Sequence, residues 1–312
     1  MGDVMQKKAV FMGTPAFAAE ILKALLNMDC LKIIGVVSQP DKRVGRKQVL
    51  TQTPVKEVAK AYDIPVFQPT SVKTDYQTIL DWQPDLVITC AYGQMVPDEV
   101  LFAFGYPCVN VHASLLPKYR GGAPIHKAII NGETKTGVTL MQMVKKMDAG
   151  MMYATCEVEI EQKDTAETLH DKLAVAGCKL VYETIPLLLD NKLQGKEQNE
   201  EEVTFAWNIK PEEEMIDCHR DAMTVYNQIR GLISWPVGHI LLEGKKVKLW
   251  AASLTRTDEK AIKIGNLYSK EKKLYLKCQT GSVEIKELQL EGKKRCTAQE
   301  FLNGFSMLLK ND

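Results

Sequence analysis

The chain has 312 residues, of which 45% are hydrophobic and 25% are charged, and its net charge is +1 at pH 7. This length is typical of two domains that each bury a core, and the composition excludes a disordered or fibrous protein. No apolar run reaches the roughly 20 residues that cross a bilayer, and the first residues are too polar for a secretory signal. We therefore expect no membrane association and a cytoplasmic location.

The first two thirds of the sequence alternate between strand and helix patterns. Strands are predicted at residues 8–12, 32–38, 85–90, 108–112 and 137–143. Helices are predicted at residues 17–28, 124–130 and 165–189, with a further helix beginning at Pro54 after an N-cap at Thr53. Strands that alternate with helices form βαβ units, so the pattern predicts a mostly parallel sheet.

The turn after the first strand, Gly13-Thr14-Pro15, is not a dinucleotide-binding motif. Such a motif needs three glycines at fixed spacing, and Phe17 and Ala18 stand where more glycine would be required. A nicotinamide cofactor is therefore not expected.

The sequence changes character after residue 190. Residues 191–202 are almost entirely polar, which is typical of an exposed linker. Beyond residue 238 short strand patterns alternate with turns, which predicts a small β-barrel or sandwich. Residues 241–312 hold 15 Lys and Arg against 9 Asp and Glu, a net charge of +6. We predict one domain at 1–190, a linker at 191–206 and a second domain at 207–312.

Asn110 and His112 lie two residues apart at the end of a predicted buried strand, so their side chains leave on the same face. Ligands bind at the carboxyl ends of strands in parallel sheets. An imidazole beside an amide can donate hydrogen bonds to an oxygen that gains negative charge. The alternative is a pair of polar groups that close the strand and bond to backbone.

Asp148 follows a predicted strand, in the turn Met147-Asp148-Ala149-Gly150. An aspartate close to a glycine commonly serves the turn itself. A catalytic Asp148 would instead orient His112 or position a water that carries a proton.

The segment Ser114-Leu115-Leu116-Pro117 is stiffened by its proline and offers backbone polar groups beside two leucines. This combination suits a flat heterocycle that needs hydrogen bonds along one edge. The alternative is a plain loop.

Four cations, Lys42, Arg43, Arg46 and Lys47, occupy six residues of the loop at 41–47. A charge run of this kind is usually a solvated surface loop. The functional interpretation is an arm that contacts a phosphate backbone or an RNA end.

The eight cysteines are scattered and include no C-x-x-C pair. Zinc sites need closely spaced ligands, so no metal site is expected. We expect reduced thiols that are mostly buried.

Together these motifs resemble the 10-formyltetrahydrofolate-dependent formyltransferases, over nearly the whole chain. The resemblance is strongest at residues 110–112, 114–125, 137–143 and 147–150. Within that family, residues 39–46 and the basic C-terminal region resemble the methionyl-tRNA formyltransferase branch.

The resemblance implies a Rossmann-like formyltransferase domain with a mostly parallel sheet, followed by a C-terminal OB-like β-barrel that helps to hold tRNA. The implied reaction moves the formyl group of 10-formyltetrahydrofolate to the amino group of methionyl-initiator-tRNA, with no metal and no obligate protein partner. The implied catalytic residues are Asn110, His112 and Asp148. The implied folate contacts are Ser114, Leu115, Leu116 and Pro117. The implied tRNA contacts are Lys42, Arg43, Arg46 and Lys47.

Two other acceptors remain open from the residues alone. Glycinamide ribonucleotide formyltransferases share the Asn–His–Asp set but lack a comparable basic second domain, whereas amino-sugar nucleotide formyltransferases do carry a second domain. A protein that only binds RNA would use residues 207–312 and leave the motif at 110–125 without a role. The basic loop favours tRNA as the acceptor.

Overall fold

A computed structural model of the chain describes residues 6–45, 47–305, 308 and 309. The chain divides into two compact units. Unit 1 comprises residues 1–124, 135–159 and 170–207, and unit 2 comprises residues 125–134, 160–169 and 208–312.

The core of unit 1 is a seven-stranded sheet with the order β5-β2-β1-β6-β7-β8-β9, and a separate two-stranded hairpin pairs β3 with β4. The strands are β1 Lys7–Gly13, β2 Leu31–Val37, β3 Lys42–Val44, β4 Val49–Thr51, β5 Val66–Phe67, β6 Leu86–Cys90, β7 Val109–His112, β8 Lys135–Gln142 and β9 Met152–Glu159. The pairings from β5 through β7 are parallel, and β7–β8 and β8–β9 are antiparallel. The predicted mostly parallel sheet is therefore confirmed.

Helices follow the strands. The helices up to residue 189 are α1 Ala16–Leu26, α2 Pro54–Ala61, α3 Gln77–Asp81, α4 Asp98–Leu101, α5 Pro124–Ile130 and α6 Ala166–Leu189. They include the four that the sequence predicts and two short ones, α3 and α4, that it does not. The Thr53 hydroxyl accepts the backbone N–H of Lys56 at 3.2 Å, and Pro54 occupies the first turn of α2. This is the predicted cap, in which proline takes a position that needs no N–H.

Unit 2 contains an antiparallel sheet with the order β10-β11-β14-β13-β12, and β15 pairs with β14. Its further elements are α7 Ala222–Gly231, β10 His239–Leu242, β11 Lys245–Leu254, β12 Leu267–Lys270, β13 Lys273–Lys277, β14 Ser282–Leu290, β15 Cys296–Thr297 and α8 Ala298–Phe305. The register of β11 against β14 shifts near Ala251, and such bulges bend a strand. The sheet curls around a buried apolar cluster, as the predicted OB-like fold requires.

The segment predicted as a linker, residues 191–206, belongs to unit 1. Its backbone pairs with two parts of that unit: Lys196 exchanges two bonds of 2.8 Å with Met152, and Ala206 donates to Arg120 O at 2.7 Å. Most of its side chains are nevertheless exposed. The bounds of the two predicted domains remain a prediction.

All eight cysteines are free thiols. Four of them are buried, and burial raises the pKa of Cys108, Cys218 and Cys278 to about 12. Burial also raises the pKa of the Cys90 thiol. These four side chains therefore pack as small apolar groups. In the described part of the chain, no helix is both long and apolar enough to cross a membrane.

Gly137 on β8 allows a close approach that any larger residue would block. A Cβ atom at this position would lie 2.3 Å from Cys156 O and 2.5 Å from Leu115 Cδ2. We expect Gly137→Ala to lower the free energy of unfolding by about 1–3 kcal/mol, because overpacking forces the backbone to shift. Urea unfolding of the purified protein measures this change.

Gly105→Ala is the matched control, since a Cβ there meets no atom within 4 Å. It should change the free energy of unfolding by no more than about 0.5 kcal/mol. Equal stability of the two variants would contradict the steric role of Gly137.

Candidate active site

Asn110 and His112 lie on β7, which is flanked by the parallel β6 and the antiparallel β8. The Thr89 side chain on β6 fixes Asn110, because its hydroxyl lies 2.9 Å from Asn110 Oδ1 and can donate to it. An amide held through its oxygen presents its two N–H groups elsewhere. Asn110 and His112 are alternate residues of β7, so their side chains share one face of the strand.

The His112 ring is buried and meets an acceptor at each nitrogen. Its Nε2 lies 3.0 Å from Tyr119 O, and its Nδ1 lies 3.7 Å from Asp148 Oδ2. A doubly protonated imidazolium donates at both nitrogens, so each N–H of that form would face an oxygen. The 3.7 Å separation from Asp148 is too long for a hydrogen bond, so an N–H at Nδ1 can also donate to a substrate oxygen that gains negative charge.

Asp148 reaches His112 through a loop that turns back along the sheet. Because β8 is antiparallel to β7, its last residue, Gln142, pairs with Val109 rather than with His112. Residues 143–151 then carry Asp148 back toward the imidazole. Asp148 has φ +48°, a left-handed conformation that costs free energy for any residue other than glycine, although less for aspartate than for most. Its Oδ2 accepts the backbone N–H of Gly121 at 2.9 Å.

The predicted folate segment is held by its own hydrogen bonds. Ser114 Oγ donates to Lys118 O at 2.7 Å, and the Thr139 hydroxyl donates to Ser114 O at 2.7 Å. The backbone N–H of Leu116 bonds to the Thr139 oxygen at 3.2 Å. Ser114 and Leu116 are buried, whereas Leu115 and Pro117 are partly exposed. Contact of all four residues with folate remains a prediction.

The predicted basic loop is a hairpin made of β3 and β4. Lys42 and Arg43 lie on β3 and are exposed, as is Lys47. Arg46 lies outside the described residues. Three apolar side chains of the hairpin are also more than half exposed, namely Val44 at 55%, Val49 at 58% and Leu50 at 61%. The hairpin thus presents both charge and apolar surface to solvent.

A polar cluster ties the base of this hairpin to unit 1. Lys56 Nζ lies 2.6 Å from Asp41 Oδ2 and 2.6 Å from Gln68 Oε1. Gln68 in turn donates to Asp41 Oδ1 at 2.8 Å and to Gln39 O at 2.7 Å. Hydrogen bonds from Gln68 and then Lys56 lower the pKa of the Asp41 carboxyl. The cluster fixes where the hairpin leaves the second strand.

Three residues beside the site were not singled out by sequence reasoning. Arg120 is fully buried, and its guanidinium bonds to Gln198 Oε1 through Nε at 3.0 Å and through Nη2 at 2.8 Å. Its Nη2 also lies 2.8 Å from Glu200 Oε1. Glu200 Oε2 pairs with Lys146 at 2.6 Å. Arg120 falls inside the motif at 114–125, but the polar composition of 191–202 gave no sign of Gln198 or Glu200.

The structure thus brings His112 and Asp148 together and places Asn110 on the same face of β7. No group of three or more His, Cys, Asp or Glu side chains is placed to hold a metal ion within the described ranges. The catalytic roles of the three residues remain predictions.

Two family models match the chain. The formyl transferase model matches residues 6–185, and the model of the formyl transferase C-terminal domain matches residues 208–306. Methionyl-tRNA formyltransferases from Bacillus thuringiensis subsp. konkukian and from Bacillus cereus strain B4264 are each 49% identical over 302 residues, covering 95% of both chains. The chain belongs to the methionyl-tRNA formyltransferases of the formyl transferase family.

Solved structures share the fold at low sequence identity. The methionyl-tRNA formyltransferase from Clostridium thermocellum has a TM-score of 0.55 and 18% identity, covering 81% of this chain and 95% of its own. The N-formyltransferase from Helicobacter canadensis, in complex with folinic acid and dTDP-3-aminofucose, has a TM-score of 0.66 and 20% identity, covering 90% and 99%.

HypX from Aquifex aeolicus, in complex with tetrahydrofolic acid, has a TM-score of 0.63 and 17% identity. That match covers 98% of this chain and 48% of HypX, so the present chain spans about half the length of that protein. Folates are bound in two of these neighbours, in line with a family that uses folate-derived formyl donors.

The ion pairs of Glu200 lead to a pH prediction. Hydrogen bonds from Arg120 and then Lys146 lower the pKa of the Glu200 carboxyl from its ordinary value of 4.5 to about 2. A depressed pKa contributes stability above the ordinary value and loses it as the pH falls through the folded value. Glu200→Gln should therefore lower Tm at pH 7, and the deficit should vanish as the pH falls from 4.5 toward 2.

Calorimetric melting over this pH range measures the effect. Glu201→Gln is the control, since Glu201 is exposed and makes no ion pair among the described residues. A Tm deficit for Glu200→Gln that stayed constant with pH would contradict the assigned pairing.

Proposed function

We propose that this protein transfers the formyl group of 10-formyltetrahydrofolate to the free amino group of methionyl-initiator-tRNA. The observation that carries the proposal is the 49% identity to methionyl-tRNA formyltransferases over 95% of the chain. The arrangement of Asn110, His112 and Asp148 supports it, because the three side chains supply what acyl transfer between two nitrogens needs.

The proposed chemistry forms a bond between the acceptor amine and the formyl carbon, and then breaks the bond from that carbon to the folate N10. Negative charge develops on the formyl oxygen in between. Asn110 donates to that oxygen, and His112 donates to it through Nδ1, which lies too far from Asp148 for a hydrogen bond. One such donor is worth about 3 kcal/mol of the barrier. Asp148 orients the His112 ring and passes the proton of the attacking amine through water to the folate N10, which leaves as the protonated amine. No nucleophilic side chain of the protein is needed.

The proposed folate contacts are Ser114, Leu115, Leu116 and Pro117. The bonds of Thr139 to both Ser114 and Leu116 support this assignment, because they hold the segment rigid next to β7. A preformed loop loses little conformational entropy when a flat ring binds.

The proposed tRNA contacts are Lys42, Arg43, Arg46 and Lys47. Lys42, Arg43 and Lys47 are exposed on an anchored hairpin, so they can reach phosphates without rearranging the sheet. Because charged tRNA is available in the cytoplasm, we also propose a cytoplasmic location. We propose no obligate protein partner.

An amino-sugar nucleotide is the alternative acceptor. The Helicobacter canadensis enzyme superposes on this chain with a good TM-score, but its identity is only 20%, and one fold serves many substrates. The 49% identity to methionyl-tRNA formyltransferases over 95% of the chain therefore favours tRNA.

The experiment offers three acceptors to the purified protein with 10-formyltetrahydrofolate: charged initiator tRNA, charged elongator methionyl-tRNA and an amino-sugar nucleotide. We expect the highest kcat/KM with initiator tRNA. A higher kcat/KM with the sugar nucleotide would overturn the proposed acceptor and leave the formyltransferase assignment intact.

The proposed catalytic roles predict the behaviour of two variants. His112→Ala and Asp148→Asn should each lower kcat by about a hundredfold or more, as expected for loss of an oxyanion donor or of its orienting partner. Folate binding should survive, because neither side chain belongs to the segment at 114–117. Steady-state kinetics and a folate-binding titration measure both quantities, and near-normal kcat in either variant would contradict its role.

A further inference from the structure

Residues 195–206, here called the strap, run along the two loops that frame the catalytic residues. At one end Lys196 pairs with Met152, which follows the Asp148 loop. At the other end Thr204 O accepts from Arg120 N at 2.9 Å, and Ala206 O accepts from Ala123 N at 2.9 Å. The strap therefore connects the loop after β8 to the loop after β7.

Gln198 lies in the middle of the strap and uses every hydrogen-bonding position of its amide. Its Oε1 accepts twice from Arg120, at 3.0 and 2.8 Å. Its Nε2 donates to Asp148 O and to Gly150 O, both at 2.8 Å. A glutamine amide has two donors and two acceptor positions, so all four are satisfied by the two loops.

These hydrogen bonds link Gln198, the 120–121 segment and Asp148 in a closed circuit. Gln198 binds the Arg120 guanidinium, the next residue Gly121 donates its N–H to Asp148 Oδ2, and the Asp148 carbonyl accepts from Gln198. The backbone of Asp148 is left-handed, with φ +48°, and such a conformation persists only where its surroundings fix it. Gln198 supplies that constraint from outside the loop.

We propose that Gln198 is a positioning residue, which holds the Asp148 carboxylate opposite His112 Nδ1. This inference rests on the proposed function, since it assigns a role in the same reaction. The separation of 3.7 Å between Asp148 Oδ2 and His112 Nδ1 leaves the pair without a close direct bond of its own. The alignment of the two groups therefore depends on the loops that carry them.

The burial of Arg120 explains why the Gln198 side chain is held firmly. Its side chain is completely buried, and its Nη1 has no hydrogen-bond partner among the described residues. A buried guanidinium strongly requires acceptors, and two of its N–H groups converge on the single oxygen of Gln198. Loss of the Gln198 oxygen and loss of its N–H groups are therefore distinct perturbations.

Two substitutions separate these perturbations. Gln198→Glu keeps acceptor oxygens for Arg120 but removes both donors to the Asp148 loop. Gln198→Met keeps the length of the side chain and removes donors and acceptor together. We expect both to lower kcat by about 10- to 100-fold, the scale of a displaced catalytic group, and to leave KM for the folate within about twofold. Asn199→Ala is the matched control, since among the described residues the Asn199 side chain bonds only within the strap, and its kcat should stay at the wild-type value.

A double-mutant comparison distinguishes positioning from general support of the fold. If Gln198 acts through Asp148, then Gln198→Met should cost little further kcat in an Asp148→Asn background. An equal loss of kcat in both backgrounds, or no loss in either, would overturn the proposal.

Amide hydrogen exchange at Gly121 gives a second measurement that needs no acceptor substrate. Exchange should speed up in Gln198→Met and stay unchanged in Asn199→Ala, because the Gly121 N–H bonds to the carboxylate that Gln198 positions. Unchanged exchange in Gln198→Met would overturn the positioning role. If the wild-type protein failed to formylate methionyl-initiator-tRNA, the proposed function would fail, while the exchange result would still decide the role of Gln198.

Discussion

The buried guanidinium of Arg120 constrains which parts of the chain can lie beside the candidate site of this enzyme. Arg120 is fully buried, and it lies in the loop that also supplies the Tyr119 carbonyl to His112. A guanidinium in such a place must find acceptors or destabilise the fold. Gln198 and Glu200 provide them, which draws a distant part of the chain across the site. The geometry of the candidate site thus depends in part on the need to satisfy one buried cation.

The sequence alone predicted the structure correctly where residues close together in the chain set the geometry. Asn110 and His112 share a face because alternate residues of any strand do so, and the apolar residues around them already mark a buried strand. The cap formed by Thr53 and Pro54 is equally local. In each case the few residues that fix the geometry are neighbours in the chain.

The sequence alone could not predict the structure where contacts between distant residues set the geometry. The approach of Asp148 to His112 depends on β8 running antiparallel to β7 and on the loop that returns from it, and neither follows from the residues around Asp148. The polar residues near Gln198 predict an exposed chain, since composition reports exposure but not hydrogen-bond partners. The hairpin was expected to be a loop, because three-residue strands such as Lys42–Val44 are too short to show an alternating pattern.

The exposed apolar surface of that hairpin has a thermodynamic consequence. An isolated two-stranded ribbon is only marginally stable; β3 and β4 form a separate two-stranded sheet, and their Val44, Val49 and Leu50 side chains remain in contact with water. An RNA that covers them removes apolar area from solvent, which gives the association a negative change in heat capacity. That part of the affinity does not come from counterion release. The proposed binding through this hairpin should therefore weaken less steeply with salt than an attraction between phosphates and lysines alone.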